Sequence, residues 1–257
     1  MGVPGFFAWL LSKYKNRMFT SPIKNAKYLY LDANCLFHPQ CFKILEEYPN
    51  LAGDELEEKM IEQILNYIDY LINFVKPSEF TFIAVDGVAP LAKIVQQRSR
   101  RYKSYKDDHV RNDIKIKHNM KINEWSNIVI TPGTDFMKKL HKRIYRYYKN
   151  KRVIYSSYLT PGEGEHKIFD HIRDNLDNKQ VVVYGLDADL IFLSMMNQNN
   201  HIFLLRESTH FGNHRPEKAE LVYLSIDNTK ELYNYEINRA VFNTDPFEDF
   251  SLEENFI

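Results

Sequence analysis

Six carboxylate residues stand where a fold could gather them around a metal ion. Three strongly apolar runs each end on aspartate, and a further acidic pair precedes a helical pattern. The six are Asp32, Asp86, Glu163, Glu165, Asp187 and Asp189. Because like charges repel when they are crowded, such a cluster needs cations to hold it together. Hard oxygen ligands select Mg²⁺ or Mn²⁺, so the pattern predicts a divalent-metal centre.

Each of these acids has an ordinary structural alternative when it is considered alone. Aspartate at a strand end commonly caps a helix or closes a turn, and glutamate is favoured in the first turn of a helix. The D-x-D and E-x-E spacings favour metal binding, because residues two apart in a turn can direct their oxygens into one cavity. Two adjacent ions would activate a water and stabilise the leaving oxygen of a phosphodiester.

The segment after Asp86 predicts a helix with a phosphate-binding face. Lys93, Gln97, Arg100 and Arg101 fall at helical spacing on one side, and such groups hold a terminal phosphate through several contacts. The alternative is a solvated polar face. The residues expected to pack on the opposite side are Leu91, Ile94, Val95 and Tyr102.

Two further features have weaker signals. His38 could stack on a nucleobase, although a lone histidine is more often structural or exposed. The basic helix predicted over 134–149 is interpreted first as a solvated polar face. The second interpretation is a surface that binds along a nucleic acid.

A mostly parallel sheet would bring the acids to one edge, because sites in open α/β sheets form at the carboxyl ends of strands. Short apolar runs without alternation are typical of strands buried on both faces. The sequence therefore predicts an α/β fold with a central, mostly parallel twisted sheet flanked by helices. Strands are predicted at 28–32, 80–86, 127–130, 153–156, 181–185 and 201–206. The stretch 103–121 is either a mobile connection or an extended helix.

The composition describes an ordered protein whose net charge says nothing about its partners. The 257 residues are 44% hydrophobic, and Lys+Arg and Asp+Glu balance at 34 each. The two cysteines, Cys35 and Cys41, are expected to be free thiols in a reducing compartment. Since no segment approaches the length of a membrane span, we expect a soluble, cytoplasmic protein.

Several long motifs together resemble the Xrn-type 5′→3′ exoribonucleases. They are MGVPGFFAWL, YLYLDANCLFH, VDGVAPLAKIVQQRSRRYKS, ITPGTDFM, PGEGEHKIFDHIR and YGLDADLIFLS. The resemblance implies a nuclease core similar to flap-endonuclease and PIN-like folds. It implies that the six acids bind Mg²⁺ and that Lys93, Gln97, Arg100 and Arg101 form a 5′-monophosphate pocket. It also implies that His38 stacks on the terminal nucleotide and that 5′-monophosphorylated RNA is the substrate.

The departures from the family pattern leave alternatives open. The family's seventh acid, in a GNDFLP-type motif, has no counterpart found in this sequence, and a second polypeptide could complete the site. The alternatives to an exoribonuclease are a catalytically weak RNA-binding or decoy protein and a flap-type DNA nuclease. We expect a nuclease-like domain over 1–235 and an acidic tail over 236–257.

Overall fold

The computed structural model describes residues 6–24, 26–118, 125–198, 200–207 and 220–242. The α-helices within these ranges are α1 (Phe6–Met18), α2 (Ala33–Glu47), α3 (Gly53–Val75), α4 (Leu91–Lys117), α5 (Asp135–Tyr148), α6 (Gly164–Asn175), α7 (Asp189–Met195) and α8 (Ile226–Phe242). The strands are β1 (Phe19–Thr20), β2 (Tyr28–Asp32), β3 (Phe80–Ala84), β4 (Val153–Ser156), β5 (Gln180–Tyr184), β6 (His201–Glu207) and β7 (Leu221–Ser225). A 3-10 helix spans Asn127–Val129. None of the described helices is both long enough and apolar enough to span a lipid bilayer.

The seven strands form one sheet in the order β1-β7-β6-β5-β2-β3-β4. β2 pairs with β5 and β5 with β6 in parallel, whereas β6 pairs with β7 and β7 with β1 antiparallel. In β2, β3 and β5 the last four residues are all buried, as apolar runs without alternation predict. The predicted α/β class, a mostly parallel sheet flanked by helices, is confirmed.

The chain divides into two compact units. The first comprises 1–31, 75–82 and 168–257. Its centre includes Tyr30, whose hydroxyl lies 2.9 Å from Nδ1 of His171. Phe80 and Phe82 contact the same imidazole ring. Aromatic packing therefore joins two strands and a helix in this unit.

The second unit comprises 32–74 and 83–167. In it α5 buries an apolar stripe at helical spacing, formed by Phe136, Met137, Leu140, Ile144 and Tyr148. The Tyr148 hydroxyl donates to Asp69 Oδ1 at 2.8 Å, which links α5 to α3. Thr134 caps α5 by accepting from the Met137 amide. Polar contacts and apolar burial thus fix this helix against the unit.

Two expectations for the second unit are wrong. Residues 127–130 do not form a strand: Ser126 Oγ accepts from the Ile128 amide and closes the 3-10 turn, because a local side-chain acceptor competes with sheet pairing. Leu91, Val95 and Tyr102 do not pack, being 78%, 59% and 61% exposed. Since α4 has no buried residue, its apolar side has no core to join.

The remaining assignments agree with the structure or go beyond the sequence. Helix α4 continues to Lys117, so most of the ambiguous stretch 103–121 is an extended helix. Helix α2 and the two-residue strand β1 had no sequence prediction. Helix α8 runs through position 235, where the domain boundary was predicted, and the tail beyond 242 lies outside the described residues. The boundary stays a prediction.

Candidate functional site

Asp32 is the last residue of β2 and precedes α2, yet its carboxylate does not cap that helix. The residue is buried, and Cys35 Sγ donates to Asp32 Oδ2 at 2.9 Å. The other oxygen, Oδ1, faces Gly164, since a Cβ built there would lie 3.0 Å away. The capping alternative for this acid therefore fails, and its carboxylate points toward the start of α6.

Asp86 reaches the same glycine from β3. The Gly164 amide donates to Asp86 Oδ1 at 2.6 Å, and the Asp86 amide donates to Asn34 Oδ1 at 3.0 Å. A Cβ at position 164 would also lie 3.3 Å from Asp86 Oδ1. Carboxylates that follow two different strands thus converge on one backbone position.

Glu163 adds a third carboxylate and brings in the basic helix. Lys93, in the first turn of α4, places Nζ 2.7 Å from Glu163 Oε2. This hydrogen bond raises the pKa of Lys93. Burial raises the pKa of Asp86, and the nearby Glu163 charge adds to that effect. Crowded, partly desolvated carboxylates beside an ammonium form a site that favours added positive charge.

The loops that carry these acids are joined along their length. The Gly87 amide donates to Gly162 O and the Gly162 amide donates to Val88 O, both at 2.9 Å. Buried Lys167 donates through Nζ to Val85 O at 2.8 Å and to Ser157 O at 3.0 Å. Burial lowers the pKa of Lys167 to about 8, and the Asp86 charge opposes that shift. One lysine therefore joins the backbone just before Asp86 to the backbone just after β4.

The remaining predicted acids lie on separate elements. Glu165 is in the first turn of α6. Asp187 comes three residues after β5, and Asp189 begins α7. Arg206 Nη2 donates to Leu186 O at 2.9 Å and so fixes the backbone just before Asp187. The roles of these three acids stay predictions.

The predicted phosphate face of α4 is more sheltered than the opposite side. Lys93, Gln97 and Arg101 are half-buried, and Arg101 Nη2 donates to Gln97 Oε1 at 3.2 Å. Arg100 is exposed. His38 is half-buried on α2, and burial lowers its pKa.

Sequence reasoning missed four residues that shape this site. They are Asn34, Cys35, Gly164 and Lys167. Their only signal was membership of the motifs DANC and PGEGEHK. Motif membership gave no indication that an amide, a backbone approach or a buried ammonium would orient the carboxylates.

Comparison with known proteins identifies the family. The family described as "XRN 5′-3′ exonuclease N-terminus" matches residues 1–208. The 5′-3′ exoribonuclease 1 of Schizosaccharomyces pombe is 36% identical over 240 residues, covering 82% of this chain and 17% of the relative. The 5′-3′ exoribonuclease 1 of Homo sapiens is 34% identical over 272 residues, covering 93% of this chain and 15% of the relative. The 5′-3′ exoribonuclease 2 of Kluyveromyces lactis is 32% identical over 286 residues, covering 90% of this chain and 28% of the relative.

This chain spans less than a third of the length of each of these relatives. Both the family match and the relatives nevertheless cover most of the chain, and the family match includes every predicted site residue. The chain belongs to the XRN 5′-3′ exonuclease N-terminus family.

Proposed function

We propose that this protein is a metal-dependent exoribonuclease that removes nucleotides from the 5′-monophosphorylated end of RNA. The observation that carries the proposal is the convergence of Asp32, Asp86 and Glu163 around the start of α6, with Lys93 of the basic helix bound to Glu163. The relatives' name, 5′-3′ exoribonuclease, supports the reaction class and its direction.

The donor set fits a hard divalent cation, because it consists of carboxylate oxygens in a partly desolvated site, where burial and then the nearby Glu163 charge raise the pKa of Asp86. We propose that two Mg²⁺ or Mn²⁺ ions are held by Asp32, Asp86, Glu163, Glu165, Asp187 and Asp189. When bound, such ions lower the pKa of a water and stabilise charge on a leaving oxygen. The parallel register supports including Asp187, since Leu31 lies opposite Tyr184 and the segments after them leave adjacent strands in the same direction.

The protein's own side chains would select and orient the RNA end. Lys93, Gln97, Arg100 and Arg101 would bind the terminal phosphate, and the Lys93–Glu163 contact supports a pocket next to the acids. A half-buried His38 on α2 would stack on the first base. Anchoring the terminal phosphate positions the next phosphodiester over the carboxylates, which is how the end rather than an internal bond would be chosen.

The experiment is a time course on 5′-monophosphorylated RNA with and without Mg²⁺. We expect Mg²⁺-dependent shortening from the 5′ end, abolished in Asp187→Asn while RNA binding persists. Binding without shortening would favour the decoy alternative, and preferential digestion of flap DNA would favour the DNA nuclease. Activity that appears only with an added lysate would support a second polypeptide that completes the site.

A second arm of the same assay tests the pocket. Arg100→Ala combined with Arg101→Ala should erase the preference for 5′-monophosphate over 5′-hydroxyl RNA. The control pair, Arg98→Ala and Lys103→Ala, removes the same charge from exposed positions on α4 and should leave the preference intact. If the two double variants show the same preference for 5′-monophosphate over 5′-hydroxyl RNA, the pocket assignment is wrong. A cytoplasmic site of action, which the reduced thiols of Cys35 and Cys41 support, is tested by imaging a fluorescent fusion.

A further inference from the structure

Helix α5 presents an exposed basic stripe opposite its buried face. The stripe consists of Lys142, Tyr145, Arg146 and Lys149, all exposed to solvent. Their spacing of three, four and seven residues keeps them on one side of the helix. The side chains that anchor α5 to the core occupy the other side. The stripe is therefore available to a ligand without disturbing the packing of the unit.

The cations that neighbour the stripe on the same helix are paired with acids. Lys139 contacts Asp54 and Glu57 of α3, both at 2.6 Å, and Arg143 lies 3.3 Å from Glu58. Within the part of the chain that the structure describes, no carboxylate pairs with Lys142, Arg146 or Lys149. The acids of α3 thus neutralise one edge of α5 and leave the stripe charged.

This charge is local rather than a property of the whole chain. Residues 135–152 contain eight Lys or Arg and one Asp, whereas the complete sequence has 34 of each sign. A concentrated cationic surface on a neutral protein is complementary to a polyanion. The attraction falls off over about 10 Å at 0.1 M salt, so it acts on a strand lying along the helix.

An aromatic ring lies among the cations. The Tyr145 side chain is 52% exposed, with Lys142 one turn before it and Lys149 one turn after it. Single-stranded nucleic acid is bound without sequence preference by cations that follow the backbone and rings on which bases stack. From Lys142 to Lys149 the helix rises about 10 Å, which is a span of about three stacked nucleotides at roughly 3.4 Å each.

We propose that this stripe binds the phosphate backbone of single-stranded RNA, with Tyr145 stacking on a base. The proposal rests on the proposed function only in taking RNA as the substrate, because the stripe needs no 5′ phosphate and no metal. The contact adds affinity for the body of an RNA strand, independently of the pocket for its end.

The test measures the binding of a 5′-hydroxyl oligouridylate by fluorescence anisotropy, in a chelator, across a range of salt concentrations. Lys142→Ala, Arg146→Ala and Lys149→Ala are combined in one variant. We expect about tenfold weaker binding at low salt, with a salt-dependence slope smaller by about 2, since each single-strand phosphate contact contributes roughly 0.7. The matched control is the triple variant Lys24→Ala, Lys27→Ala and Lys179→Ala, which removes the same charge from exposed positions just before β2 and β5.

Tyr145 provides a second measurement. Tyr145→Ala should weaken binding several-fold at all salt concentrations, whereas Tyr145→Phe should not, because phenylalanine keeps the stacking surface. Equal losses of affinity in the triple variant of the stripe and in the control triple variant would mean that net charge alone explains the effect, which would overturn the proposal. An unchanged salt-dependence slope in the stripe variant would also overturn it. This binding assay does not depend on cleavage. If the wild type shows the stripe effect here but does not shorten RNA in the time course, only the proposed function is refuted.

Discussion

At the scale of single residues, the candidate site depends on a position without a side chain. Gly164 lies where Asp32 Oδ1, Asp86 Oδ1 and Ala84 O approach, and its amide binds Asp86. A Cβ there would meet all three oxygens at 3.0 to 3.3 Å. The closeness of the carboxylates is therefore set by backbone geometry as much as by the acids themselves.

We expect Gly164→Ala to reduce RNA hydrolysis by about tenfold or more, because the new methyl group moves the carboxylates by tenths of an ångström. Folding should be nearly unaffected, since alanine is favoured over glycine in a helix by up to about 1 kcal/mol. Rates on 5′-monophosphorylated RNA and urea unfolding of the same samples check both statements.

Gly53→Ala is the reciprocal control. Gly53 has open space around it but a φ of 60°, so alanine should destabilise the protein by about 1 kcal/mol and leave the rate unchanged. Loss of stability rather than rate in Gly164→Ala would contradict the steric explanation.

At the scale of elements, the strands that deliver the acids could be predicted and the contacts that orient them could not. The apolar runs at β2, β3 and β5 lack alternation and are short, which is typical of strands buried on both faces. Helix α4 was recognised by its polar face, but its exposed apolar side was assigned to a core that it does not reach. Local patterns report which face of an element is polar. They carry no information on which distant backbone groups meet.

Lys167 is such a distant contact, because it joins the end of β3 to the loop after β4 through Val85 O and Ser157 O. Lys167→Met keeps most of the volume but leaves two carbonyls without this donor. We expect a loss of about 1–3 kcal/mol in unfolding free energy and a lower kcat with little change in KM, since the acids rather than the phosphate pocket lose their support.

Lys167→Arg keeps the charge and the donors, so it should recover part of kcat, and urea unfolding and steady-state kinetics measure both effects. A variant that loses stability at unchanged kcat would show that Lys167 supports the fold without positioning the acids.

At the scale of the whole molecule, burial lowers the pKa of three histidines on different elements. The pKa values of His38, His141 and His171 are all lowered from 6.5, with desolvation as the largest cause. A histidine with a lowered folded pKa contributes stability above pH 6.5 and loses it as the pH falls, because the unfolded chain then binds more protons. The protein should therefore become less stable on mild acidification.

His171 isolates this effect because its ring is packed against Tyr30, Phe80 and Phe82 in the first unit. His171→Gln retains an acceptor for the Tyr30 hydroxyl, 2.9 Å from Nδ1 in the native protein, and does not titrate. We expect urea unfolding at pH 8, 7, 6 and 5 to show that the wild type loses more stability than this variant below pH 6.5.

The difference between the two proteins removes common contributions, including that of Asp86, whose raised pKa acts in the opposite direction. The same substitution at exposed His118 controls for the change of residue type. Parallel pH curves for wild type and His171→Gln would mean that protonation at this ring does not contribute to acid sensitivity.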